Sequence, residues 1–130
     1  MSPPRITKVL LIDDDPDIRQ IARLSLERLG GLRVACAASG REGVAMLADE
    51  LPDVILLDVT MPEMDGPETL AALRRCPKGE SVPVFFLTAA SRPADMQRLL
   101  ALGAAGILHK PFDPVLLPDE IRRIVGDLDR

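Results

Sequence analysis

Tryptophan and tyrosine are absent from this chain of 130 residues, and three phenylalanines are its only aromatic side chains. Proteins that bind single-stranded nucleic acid stack the bases on aromatic rings, so this scarcity argues against a base-stacking surface. The formal net charge is −4, and the chain has no long run of lysine or arginine. Because phosphate backbones attract basic surfaces, we expect no direct contact with nucleic acid.

Cysteine is also scarce, since Cys36 and Cys76 lie far apart and neither belongs to a C-x-x-C pair. This spacing argues against a disulfide framework or a cysteine metal site, and it fits a reducing, cytoplasmic setting. No apolar run is long enough to span a membrane, and residues 1–5 lack the apolar stretch of a signal peptide. We therefore expect a cytoplasmic protein without membrane insertion.

The remaining composition, 47% hydrophobic and 28% charged residues, is typical of a globular protein. A chain of this length suits one domain that buries its core without disulfides. We expect a single domain over residues 1–130, with its core at about residues 7–128 and no output domain.

Five short apolar segments alternate with segments of helical spacing. Three of them, residues 9–12, 54–57 and 84–87, are apolar without alternation, as strands covered on both faces must be. Two weaker segments are residues 32–38 and 107–108. The alternation of strand and helix predicts an α/β fold, a doubly wound parallel sheet of five strands with five helices.

Punctuating residues predict where several helices begin and end. We expect Gly30–Gly31 to end the first helix and Ser91 to cap the fourth. Asp113 is expected to cap the fifth helix with Pro114 at its first position, and Pro118 to delay or bend that start.

Polar residues follow the apolar segments at the point where ligands bind in such a sheet, beyond the carboxyl ends of the strands. Asp15 is expected to cap the first helix, and Thr88 could cap the fourth instead of serving a ligand. The residues at these ends are Asp13, Asp14 and Asp15 after the first segment, Asp58 after the third, Thr88 after the fourth and Lys110 after the fifth.

Carboxylates that converge on one pocket repel each other and need a cation. Hard oxygen ligands suit Mg²⁺, which takes one or two carboxylates together with phosphate oxygens. A lysine and a threonine beside them suit a phosphoryl group carried on a carboxylate, and aspartate is a nucleophile for such transfer.

Five motifs in order give the chain a family resemblance. From about Lys8 to its end, the chain resembles the receiver domain of two-component response regulators. The motifs are the acids within residues 11–16, Asp58 within residues 57–62, Asp65–Gly66, Thr88 within residues 88–90 and Lys110 within residues 110–112.

The resemblance implies a flavodoxin-like fold with strand order 2-1-3-4-5 and an acceptor at Asp58. It implies that Asp13 and Asp14 hold Mg²⁺, with Asp58 and the backbone carbonyl of Thr60 completing the protein ligands. The domain then catalyses its own phosphorylation, with slow autodephosphorylation, and is not a metabolic enzyme.

The resemblance also assigns Thr88 and Lys110 to the phosphoryl oxygens and makes Lys110–Pro111 a cis peptide. It implies a histidine kinase or histidine phosphotransfer protein as donor and an effector protein downstream. Receivers often pair through the fourth helix, last strand and last helix, where residues such as Arg98 and Arg122 permit a homodimer.

The chain departs from the family at Ile107, where many receivers carry tyrosine or phenylalanine. We therefore expect a readout that does not use a rotating aromatic ring. Thr60 and Ala90, two residues after the acceptor and after the threonine, offer no carboxamide or carboxylate to position water. We expect a long-lived acyl phosphate.

Three other interpretations fit parts of the pattern. Asp13 and Asp15 resemble the Asp-x-Asp motif of haloacid-dehalogenase phosphatases, but the usual cap insertion is missing. A flavodoxin-like nucleotide module would need a phosphate-cradling loop after the first strand, where this chain has acids. The main alternative is a degenerate receiver, a phosphorylation-independent interaction module, which Ile107 keeps open.

Overall fold

Within the described residues, five parallel strands, numbered along the chain, form one sheet in the order 2-1-3-4-5, which confirms the predicted fold and strand order. The structure, a computed structural model, describes residues 6–128, so the predicted bounds 1–130 reach beyond the described residues at both ends. The strands are β1 (Lys8–Ile12), β2 (Arg33–Ala37), β3 (Val54–Asp58), β4 (Val84–Thr88) and β5 (Gly106–His109).

In the described part of the chain, five α-helices connect and follow the strands, as the alternation predicted. In residues 6–128 no helix is long and apolar enough to cross a membrane. A π-helical turn, Ser25–Leu29, extends the first helix, and a 3₁₀ turn, Gly79–Ser81, precedes β4. The helices are α1 (Pro16–Leu24), α2 (Gly40–Asp49), α3 (Gly66–Arg75), α4 (Pro93–Ala101) and α5 (Leu117–Leu128).

The sheet separates two apolar clusters, because successive side chains along a strand point to opposite faces. Phe85 packs with α1 and α5 on one face, whereas Phe86 packs with α2, α3 and α4 on the other. Every residue of β3 and β4 is buried, which explains why these segments are apolar without alternation.

The start of α4 differs from the prediction. Arg92, not Ser91, is the N-cap residue, and no side chain caps this helix by a hydrogen bond. Pro93 is the first helical residue, and a proline holds the residue before it in an extended conformation. The cap position therefore falls on Arg92, and Ser91 is left exposed.

The start of α5 is also later than predicted. The Asp113 carboxylate accepts a hydrogen bond from Val115 N at 2.9 Å, and its carbonyl accepts bonds from residues 116 and 117. This capped turn is separate from the helix, which begins at Leu117. Pro118 thus occupies the first turn, where its missing N–H costs nothing, and the expected delay is present.

Asp53 anchors the beginning of the sheet. Its Oδ2 atom accepts hydrogen bonds from Thr7 N at 2.8 Å, Thr7 Oγ1 at 2.9 Å and Lys8 N at 2.9 Å. Burial opposes ionisation of this carboxyl, but these hydrogen bonds outweigh burial and hold its pKa below the ordinary value. The carboxylate just before β3 thereby fixes the start of β1.

Asp53→Ala is expected to lower the free energy of unfolding by about 1 kcal/mol at neutral pH, since the site is exposed. A lowered folded pKa adds stability above the ordinary carboxyl value of about 3.9, and this stability is lost as the pH falls through the folded value. Urea unfolding at pH 7 and pH 3 measures the difference, which should shrink at pH 3. Asp49→Ala, at the exposed end of α2, is the control. An equal loss of unfolding free energy in Asp49→Ala would contradict the anchoring role of Asp53.

Candidate functional site

The carboxyl ends of β1, β3, β4 and β5 meet around one pocket of about 300 Å³. The pocket lies where strand order reverses, because β1 pairs with β2 on one side and with β3 on the other. All the residues predicted for the site line this pocket: Asp13, Asp14, Asp58, Thr60, Thr88 and Lys110.

Three carboxylates form the acidic part of the pocket. Asp13, Asp14 and Asp58 each offer an oxygen, and these oxygens lie within 4.8 Å of one another. Asp13 is fully buried and Asp58 is 5% exposed, whereas Asp14 faces solvent. Two of the three charges are therefore screened little by water.

Lys110 compensates the two buried acids. Its Nζ atom lies 2.8 Å from Asp13 Oδ2 and donates a hydrogen bond to Asp58 Oδ1 at 3.1 Å. Burial alone would lower the pKa of the Lys110 ammonium, but the two carboxylates outweigh burial and raise it. Lys110 is thus held as a cation over a wide pH range.

Asp58 ionises less easily than an ordinary aspartate. Burial raises the pKa of its carboxyl to about 6 against the opposing hydrogen bond from Lys110, and the charge of Asp13 adds to the rise. A backbone hydrogen bond from Thr60 acts in the opposite direction. Burial and the charge of Asp13 therefore outweigh the stabilisation that Lys110 gives to the Asp58 carboxylate.

The donor set fits a hard divalent cation. Asp13 Oδ1 accepts a hydrogen bond from Asp15 N at 2.9 Å. Asp13 Oδ2 is buried and, although it contacts Lys110, accepts no hydrogen bond of good geometry from the described residues. A buried oxygen beside two further carboxylates is a suitable ligand for Mg²⁺.

Backbone contacts fix the position of Asp58. Val59 N donates to Leu87 O at 3.1 Å, and Gly66 N donates to Val59 O at 2.8 Å. A Cβ atom on Gly66 would lie 2.6 Å from the carbonyl oxygen of Asp58, so only glycine fits there. Asp65, predicted as a turn residue, caps α3 in a reciprocal capping box with Glu68.

Thr88 and Asp15 have local hydrogen bonds. Thr88 Oγ1 accepts a hydrogen bond from Ala90 N at 3.0 Å, so it caps a turn before α4 and does not cap the helix. Asp15 caps α1 by accepting a bond from Asp17 N at 2.9 Å, as predicted. The Lys110–Pro111 peptide bond is cis, also as predicted.

One residue near the site has no signal in the sequence. Arg19, on the second turn of α1, donates from Nη1 to the backbone carbonyl of Asp13 at 2.8 Å. An arginine on an amphipathic helix is normally a solvated surface residue, so neither its type nor its spacing marks it. The contact becomes visible only when α1 is packed beside β1.

Comparison with known proteins agrees with this geometry. The family described as response regulator receiver domain matches residues 9–122. An uncharacterized 14.6 kDa protein from the sodA1 3' region of Leptolyngbya boryana is 43% identical over 109 residues, 84% of this chain and 82% of that protein.

Response regulator Rre1 of Synechocystis is 37% identical over 120 residues, which are 92% of this chain but 50% of Rre1. The chain thus spans about half the length of this relative. Among solved structures, the chemotaxis response regulator CheY4 of Vibrio cholerae superposes with a TM-score of 0.85 at 38% identity, covering 92% of this chain and 99% of CheY4.

Asp58→Asn is expected to stabilise the metal-free protein at pH 7.5 by about 2–3 kcal/mol, because it removes a charge whose burial is costly. An acid whose folded pKa is raised costs stability when ionised, so most of the gain should disappear as the pH falls from about 6 to about 4. Urea unfolding in EDTA over this pH range measures the difference in the free energy of unfolding between Asp58→Asn and the wild type. The exposed neighbour Asp14→Asn should change stability by less than about 0.5 kcal/mol. A destabilised Asp58→Asn at pH 7.5 would contradict the unfavourable charge.

Proposed function

This chain belongs to the response regulator receiver domain family, and from that membership we propose that it accepts a phosphoryl group on Asp58 in a two-component phosphorelay. The observation that carries the proposal is the ion pair of Lys110 with a buried Asp58 inside a pocket of oxygen ligands. Receiver domains are signalling domains and not metabolic enzymes, so the chemistry serves a switch.

The proposed transfer uses the carboxylate as nucleophile. An oxygen of Asp58 would attack the phosphorus of a phosphohistidine on a histidine kinase or histidine phosphotransfer protein. The new O–P bond would form as the P–N bond breaks, and the leaving imidazole would take the bonding electron pair. The product would be an acyl phosphate on Asp58.

Mg²⁺ would be held by Asp13, Asp14, Asp58 and the backbone carbonyl of Thr60. When bound, it would supply positive charge that neutralises the acids and the transferring phosphoryl oxygens. The buried Asp13 Oδ2, which lacks a well-formed hydrogen bond in the described part of the chain, supports this assignment.

Lys110 and Thr88 would stabilise the phosphoryl group. The Lys110 ammonium already bonds Asp58 and would bond a phosphoryl oxygen from the same position. Thr88 Oγ1 accepts a bond from Ala90 N, and in residues 6–128 it donates none, so its proton would be free for another phosphoryl oxygen. Both roles act through charge and position.

The proposed output is a conformational change that a downstream effector protein reads. Ile107 is half-buried and packs against the apolar cluster on the side of α2, α3 and α4. The signal would therefore not depend on rotation of an aromatic ring at this position. The free thiols of Cys36 and Cys76 fit the reducing cytoplasm, where we propose that the relay operates.

Incubation with acetyl phosphate and Mg²⁺ should add one phosphoryl group to the intact mass, and excess EDTA should abolish the addition. Borohydride converts an aspartyl phosphate to homoserine, which peptide mass mapping should locate at position 58. Asp58→Asn should stay unlabelled, while Asp119→Asn, an exposed acid on α5, should label like the wild type.

Labelling at position 13 would instead indicate a phosphatase-type nucleophile. No labelling, together with no change in the amide spectrum on adding beryllofluoride and Mg²⁺, would identify a degenerate receiver. A spectrum that responds to beryllofluoride without labelling would indicate a receiver that is selective for its protein donor.

The acyl phosphate is expected to persist for minutes or longer, because neither exposed Thr60 nor Ala90 offers a group that orients an attacking water. Thr60→Asn, which adds a carboxamide, should shorten the lifetime several-fold, and Thr60→Ala should leave it unchanged. Loss of the added mass over time measures the decay. A wild-type lifetime of seconds that Thr60→Ala does not alter would contradict this expectation.

A further inference from the structure

Arg19 makes a contact that the proposed phosphoryl chemistry does not use. It lies on the second turn of α1, half-buried, and its Nη1 atom donates to the backbone carbonyl oxygen of Asp13 at 2.8 Å. Hydrogen bonds from a charged donor are among the stronger ones in proteins. This bond therefore restrains the group that it contacts.

The restrained group is the peptide unit between two of the acids. The carbonyl of Asp13 and the N–H of Asp14 belong to one planar peptide unit, so a bond to the oxygen restrains the whole unit. Asp13 itself is held by two further bonds, from its N–H to Ala37 O at 3.1 Å and from Asp15 N to its Oδ1 at 2.9 Å. Arg19 thus supplies the third restraint on the acid loop.

Asp14 depends most on this restraint. It is exposed, and its carboxylate accepts no hydrogen bond from any residue within 6–128. Its position near the other two acids is therefore set by the backbone that leads to it. The carboxylate oxygens nevertheless converge within 4.8 Å.

We propose that Arg19 is a positioning residue for Mg²⁺, a role that rests on the proposed function. By holding the Asp13–Asp14 peptide, it places the Asp14 carboxylate beside Asp13 and Asp58. Residues that orient the ligands of a metal commonly change its affinity by about tenfold or more when they are removed.

Position and charge make opposite predictions for this residue. A guanidinium near the acids repels a divalent cation. If Arg19 acted through its charge alone, removing its side chain would therefore tighten Mg²⁺ binding. If Arg19 acts by holding the peptide, its deletion weakens Mg²⁺ binding despite the lost repulsion. The sign of the change therefore separates the two effects.

Arg23 offers a matched control on the same helix. It lies one turn after Arg19, its side chain is 53% exposed, and it pairs with Glu27 at 3.4 Å. Arg23→Ala removes an equal charge from the same helix and leaves the bond from Arg19 to the acid loop in place. Its Mg²⁺ affinity should equal or slightly exceed that of the wild type.

Calorimetric titration of the full chain with MgCl₂ tests the role. Arg19→Ala should bind Mg²⁺ about tenfold more weakly than the wild type. Arg19→Lys retains a hydrogen-bond donor, so its Mg²⁺ affinity should lie between those of Arg19→Ala and the wild type. The amide nitrogen of Asp14 should also shift in the metal-free spectrum of Arg19→Ala, because its peptide carbonyl has lost a hydrogen bond.

Thermal unfolding in EDTA shows whether the variants fold. If Arg19→Ala does not fold, the Mg²⁺ affinity of Arg19→Lys tests the positioning role. Equal or tighter Mg²⁺ binding by a folded Arg19 variant would overturn this role and leave the proposed function intact. A wild-type protein that does not bind Mg²⁺ would overturn the proposed function, and this role with it.

Discussion

One ammonium group shared by two buried carboxylates is the interaction on which the site depends. β1 and β3 are neighbours, so their ends bring Asp13 and Asp58 together where little water screens their charges. Lys110 arrives from β5, at the far edge of the sheet, and contacts both. This pairing leaves an excess of negative charge, and burial together with the charge of Asp13 raises the pKa of Asp58. Burial makes that excess costly, and a bound cation would relieve it, so the site is receptive to a cation.

Much of this arrangement could be predicted from the sequence because it follows from two simple rules. Continuous apolar segments such as 54–57 and 84–87, alternating with segments of helical spacing, are typical of strands covered on both faces, and the order of elements then favours a parallel sheet. The carboxyl ends of parallel strands lie at one edge, so Asp13, Asp58 and Lys110 had to be close. The residue types at those ends, carboxylates beside a lysine and a threonine, further indicated a site for Mg²⁺ and a phosphoryl group.

Features that depend on packing or on a competing local preference could not be predicted. Ser91 is a better capping residue than Arg92, yet Pro93 dictates where α4 begins. Asp113 does cap a turn, but the sequence does not show that the turn is separate from α5. The bond from Arg19 to Asp13 joins a helix to a strand end, and its existence depends on how closely α1 lies against β1.

The close approach of Gly66 to Asp58 has a mechanical consequence. With only 2.6 Å between an added Cβ and the carbonyl oxygen of Asp58, the first turn of α3 rests directly on the end of β3 and has no slack. On the opposite side, Ala89 and Ser91, between β4 and α4, are exposed. One side of the pocket is therefore closed by tight backbone packing at Gly66, and the other side, between β4 and α4, is open to solvent. A group added to Asp58 would therefore meet less resistance toward the exposed segment between β4 and α4 than toward the first turn of α3.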